Sequence, residues 1–218
     1  MNMRTEDLIT RLALGLKPVR RLPSPLAMLA LWSLFCAAIM AAAVLVAGLR
    51  EDFAAWLVNG FALYSMISAA LVALTAGYAA FELALPDRDQ RWALLPVLPA
   101  IGWLVTMGWG CLADLARLGP EAFNLSISVP CLVFIIGLGL PMTATIILLT
   151  RHAALIRPTP VAALGGLSAA AFASLGLTVA HELNAALMVL VWHGIAVLVV
   201  TCIGALTGPR LMRRAATV

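Results

Sequence analysis

Six apolar blocks of about 20 residues each constrain this chain more than any motif in it. A helix of that length rises about 30 Å, the thickness of the hydrocarbon layer of a bilayer. Composition agrees. Hydrophobic residues make up 63% of the 218 and charged residues 11%, where an average soluble domain carries about 25% charged residues. A globule of this size could not hide so much apolar surface, so lipid must be its solvent.

The blocks predict spans at about 26–49, 56–85, 92–112, 128–150, 160–179 and 185–207, behind an arm over 1–25 and ahead of a basic tail over 208–218. The predicted class is all-α, a polytopic bundle of six transmembrane helices with a short N-terminal amphipathic helix. Met1 to Arg21 mixes acids and bases without a long apolar stretch, so a cleavable signal peptide is not expected. Pro141 should kink the fourth span. The fifth is mostly Ala, Gly, Ser and Leu, and the sixth ends in Gly204 and Gly208 at small-xxx-small spacing, both signs of close helix packing.

Orientation follows from basic residues. Twelve of the fourteen Lys and Arg fall in the arm, in alternate loops (Arg88, Arg91, Arg151, Arg157) and in the tail, leaving only Arg50 and Arg117 on the other face. The positive-inside rule then puts both termini in the cytoplasm. The net charge of +4 is a topology signal here, and direct nucleic-acid binding is not expected.

Four scattered cysteines make no disulfide scaffold and contain no CxxC pair. Cys36 and Cys202 read as small buried apolar residues. Cys111 closes the third span and Cys131 opens the fourth, so both fall near the periplasmic surface, where oxidation is permitted. His181 and Glu182 lie in the short turn before the last span, on the same side. Thiolate with imidazole suits Zn, Cu or a heavy-metal ion, which makes Cys131 and His181 the candidate metal ligands; packing alone would equally account for the cysteines. Within the spans, Glu82 reads as a side chain snorkelling to the cytoplasmic interface, and His193 as a buried histidine bonded to another helix or as a relay.

The arm has Glu6 and Asp7 in its first turn and Leu8, Ile9, Leu12 and Leu16 at helical spacing, before Lys17-Pro18 ends it. It could lie on lipid, with Arg20 and Arg21 drawn to headgroups, or fill a groove on a cytoplasmic protein. Sequence physics favours neither. A small transporter or channel is the alternative reading of the whole chain, but it calls for midplane polar groups, broken helices or inverted repeats. Only His193 and Pro141 answer to that description. No convergent set of catalytic residues appears, so an enzyme is not expected.

Several short runs, in order, are similar to the NrsF family, negative regulators of a sigma factor. They are Glu6-Asp7-Leu8-Ile9, Lys17-Pro18-Val19-Arg20-Arg21, Leu83 to Pro86, Arg91 to Pro96, Gly110-Cys111, Pro130-Cys131 and Trp192-His193-Gly194. The resemblance implies a six-span anti-sigma factor of the bacterial inner membrane that sequesters an extracytoplasmic-function sigma factor and releases it under metal or oxidative stress. On that reading the arm would contact the sigma factor through Asp7, Leu8, Leu12, Leu16, Arg20 and Arg21, and sensing would fall to Cys131, which matches a family cysteine, with Cys111, His181 and His193 as further candidates from the residue reading. No resident cofactor is required, and a transient heavy-metal ion is the candidate ligand. His181 stands where the family carries its second cysteine, and a Cys–His pair can ligate a metal but cannot form a disulfide.

Overall fold

The computed structural model describes residues 5–15, 22–58, 60–123, 128–151, 153, 156–180 and 186–215. Among the described residues the α-helical segments are, in order, α1 (Thr5–Leu14), α2 (Pro25–Ala47), α3 (Phe53–Val58), α4 (Gly60–Leu83), α5 (Val97–Leu118), α6 (Val129–Thr150), α7 (Pro158–Ala180) and α8 (Ala186–Ala215). Short 3₁₀ turns at Gln90–Leu94 and Gly119–Phe123 bracket α5. No strand occurs among the described residues, and six helices are long and apolar enough to cross a membrane. The all-α expectation holds.

Local chemistry sets several boundaries. Ser24 Oγ accepts from the Ala27 amide at 3.3 Å, and Pro25, whose missing N–H costs nothing in a first turn, starts α2. The helix stops at Gly48, which turns away at φ +89° while its N–H still reaches the Val44 carbonyl at 2.8 Å. α6 continues through Pro141 and α8 through Pro209.

The packing centre is α7, which lies against α2, α4, α6 and α8. Its small side chains let neighbouring backbones approach, and most of its residues are buried. In α8, a Cβ placed on Gly204 would stand 2.9 Å from the Ala162 carbonyl oxygen of α7. That seam closes because Gly204 has no side chain, and Gly208, whose Cβ would collide with that of Ala162, extends it one turn further. Polar groups inside the bundle are tied across helices. Trp32 Nε1 donates to Thr145 Oγ1 at 2.9 Å and to the Met142 carbonyl at 3.2 Å, and its ring meets Phe172 edge-on at 5.4 Å. The Ser168 hydroxyl donates to the Ala73 carbonyl at 2.5 Å. The outside is studded with aliphatic side chains such as Leu31, Leu45, Val105 and Leu198, a surface suited to lipid.

Consecutive spans run antiparallel. The Arg50 amide donates to the Val179 carbonyl at 3.2 Å, and the Ala186 amide donates to Asp114 Oδ2 at 3.0 Å. These contacts gather the end of α2, the end of α5, the end of α7 and the start of α8 at one end, here the far end. The near end holds the start of α2, the end of α4 and the tail of α8.

Several boundaries differ from the sequence expectation. In the block at 56–85 the described helical residues are those of α3 up to Val58 and of α4 from Gly60 to Leu83, and Asn59 lies outside the described residues. The third block is longer than 92–112: a 3₁₀ turn at Gln90–Leu94 leads into α5, which runs on to Leu118, and the apolar helical stretch as a whole is Gln90–Phe123. The last helix does not stop at 207 but runs on to Ala215, so much of the expected tail is helical.

Candidate functional site

The N-terminal helix has no buried residue. Asp7 sits in its first turn, favourable to the helix dipole, and Leu8, Ile9 and Leu12 are exposed, the last at 63%. An apolar stripe on a helix with no buried residue is available to lipid or to a protein. Leu16, Arg20 and Arg21 lie outside the described residues.

At the far end Cys131 is fully buried. It opens α6, its Sγ accepts from the Ser128 hydroxyl at 2.9 Å, and it packs with Ile135, Ala173, Leu177 and Ala196 against α7 and α8. Cys111 lies about two turns inside the end of α5, deeper than the sequence suggested, because that helix extends to Leu118. The structure does not draw these two thiols into one neighbourhood. α5 packs on α4 and α8, whereas Cys131 sits in the α6–α7–α8 core. Both are free thiols. His181 and Glu182 lie outside the described residues, and no cluster of three metal-binding side chains occurs among the described ones.

His193 is 2% exposed, with Nδ1 2.6 Å from Ser174 Oγ on α7. It lines a partly open cavity of about 620 Å³ walled by residues of α3, α4, α5, α7 and α8. The neighbouring Trp192 packs instead on the Cys131 cluster. Adjacent residues of α8 therefore face the buried thiol and the cavity.

Two ion pairs stand at the cavity's outer edge. The Arg50 side chain is almost wholly buried, with Nε 2.6 Å from Asp52 Oδ1, Nη2 3.1 Å from Oδ2, and Cζ 4.5 Å above the Trp56 ring. The hydrogen bond from Arg50 is the main reason the Asp52 carboxyl titrates below its ordinary value. Asp114 accepts from Arg117 Nη2 at 3.2 Å, while its other oxygen accepts the Ala186 amide at the start of α8. In the sequence Asp52 and Asp114 read only as charges that close a span, and Ser174 carries no signal of its own. Arg50 and Asp52 are close enough in sequence to suggest a pair, but nothing in the sequence joins Ser174 to His193 or Asp114 to Ala186.

Two readings of isolated residues need correction. Glu82 does not snorkel to water. It is 3% exposed and is held by Arg88, whose Nε lies 2.9 Å from Oε2, because the loop after α4 folds back over the helix end. Cys202 is exposed rather than buried, since it lies on the outward face of α8; Cys36 is fully buried in the core beside Trp32 and Met40.

A sequence model of the family described as "negative regulator of sigma F" matches residues 12–213. Leu12, Leu16, Arg20 and Arg21 fall inside the matched stretch, and Asp7 and Leu8 precede it. No curated protein and no solved structure matches the chain.

Proposed function

This chain belongs to the NrsF family of negative regulators of sigma F, and from that premise we propose that it is an inner-membrane anti-sigma factor whose N-terminal helix holds an extracytoplasmic-function sigma factor. Both termini face the cytoplasm in this reading, as the distribution of basic residues favours. The observation that carries it is α1 itself, an amphipathic helix with its apolar stripe unburied and tethered close to α2. Leu8, Leu12 and Leu16 fill a groove on the partner, while Asp7, Arg20 and Arg21 add polar contacts.

Release requires two arrangements of the bundle with different affinity for the sigma factor, because a cue shifts an equilibrium only through differential binding. The proposed cue is metal or redox chemistry at the far, periplasmic end. Cys131 is its primary receiver, with His181 as a second metal ligand and Cys111 and His193 as further sensing groups. α8 supports this, since it touches the Cys131 cluster through Trp192 and ends at the other side of the bundle. Burial of Cys131 means that a soft metal must open the start of α6 to reach it.

Replacing Leu8 and Leu12 together by Asp tests the arm. The sigma factor recovered with the membrane-inserted protein should fall by about tenfold or more, given two lost apolar anchors of about 1.5–3 kcal/mol each. Undiminished recovery would remove the arm from the interface.

A further inference from the structure

The far-end cavity carries a second inference, independent of the sigma-factor reading. Its volume, about 620 Å³, is that of a small-molecule pocket rather than a packing defect. Its walls are aromatic and thioether groups, Trp56, Phe61, Trp103, Met66 and Met107, which favour a flat ring through stacking and sulfur contacts. Its inner part is polar and holds no carboxylate, lysine or arginine side chain. Ser65, Ser174 and His193 are each at least nine-tenths buried there, within helices that are long and apolar enough to span a bilayer. Hydroxyl and imidazole groups at such depth can donate to a carbonyl oxygen.

Charge narrows the class. The ionised side chains lining the cavity are Asp52, Asp114 and Arg117, and each is engaged in an ion pair at the rim. A charged ligand would therefore enter without a dedicated counter-charge at the inner end, at a large desolvation cost. We propose that this cavity binds a neutral, flat ring compound with carbonyl oxygens, of the benzoquinone class, reaching it from the bilayer or from its outer edge. The ring stacks among the indoles and thioethers, and a carbonyl oxygen lies toward Ser65 and the Ser174–His193 pair. Because His193 directly follows Trp192, an occupant would bear on the helix that also touches the Cys131 cluster.

The test uses the full chain in phosphatidylcholine nanodiscs without any sigma factor. The probe is 2,3-dimethoxy-5-methyl-1,4-benzoquinone, followed by quenching of tryptophan emission. Two variants block the cavity from different places: Ala69→Leu within the wall and Ala55→Trp on the exposed side of α3. The expected result is saturable quenching that weakens by about tenfold or more in both variants, while their thermal unfolding midpoints stay near that of the parent. Quenching that rises linearly with probe, as simple partition into lipid would give, would overturn the proposal. So would saturable quenching that neither variant alters. Failure here leaves the sigma-factor reading untouched, since no partner takes part.

Discussion

Arg50 and Arg117, the two cations set apart by the charge count, are each paired with an aspartate at the far end. For Arg50 the pairing is a necessity of burial, because a guanidinium out of water needs a carboxylate or aromatic partner, and Asp52 and Trp56 supply both. The depressed pKa of Asp52 fixes the sign of a pH effect. Its stabilising contribution is fully present above the ordinary aspartate value of about 3.9 and is lost as pH falls through the lower folded value. Trp56 emission should therefore change on acidification with a midpoint below about 3.9, and Asp52→Asn should abolish that transition. A midpoint at or above the ordinary value would refute the pairing. Trp32 offers a second test. Trp32→Phe removes donation to Thr145 and Met142 and should cost about 1 kcal/mol in unfolding experiments, in the range for hydrogen bonds within membranes. Adding Thr145→Val should cost clearly less than the sum of the two single changes, because both remove one bond. Single residues were the least legible in the sequence. Glu82 looked free to reach water because a hydropathy pattern carries no information about Arg88 folding back onto it.

Helices were far easier to read, since block length and hydropathy are properties of a segment rather than of a contact. All six long apolar blocks are helical, and α7 has the close neighbours its small residues implied. What escaped was the end of the third block. Asp114 and Arg117 are charges that read as the exit from a span, but they lie within α5, which sets Cys111 about two turns from the helix end. The α7–α8 seam makes a prediction at this scale. Gly204→Leu forces a side chain onto the Ala162 carbonyl and should destabilise the bundle by about 1–3 kcal/mol. Gly137 on α6 has nothing within 4 Å of a built Cβ, so Gly137→Ala should be neutral or stabilise by up to about 1 kcal/mol through helix propensity. Unfolding midpoints of the two variants, measured side by side in one detergent, would separate seam packing from a general sensitivity of glycines.

At the scale of the molecule, the bundle divides into an end that carries the exposed helix and an end that carries the buried thiol, the cavity and its ion pairs. α8 runs between the two ends, touching the Cys131 cluster through Trp192, and the proposed regulation uses one end to hold the partner and the other to receive the cue. The family was legible from ordered short motifs, and the matched stretch covers nearly the whole chain. The cavity was not, because its lining comes from five helices and its chemistry exists only once they are assembled. The central claim is that this protein retains a sigma factor through its arm. The most direct measurement is affinity purification from solubilised membranes of the full chain and of a form lacking residues 1–21, with sigma factors quantified by mass spectrometry. The account predicts a near-stoichiometric sigma factor with the full chain and its loss from the truncated form, both inserted at equal levels. A sigma factor retained equally by both, or by neither, would contradict it.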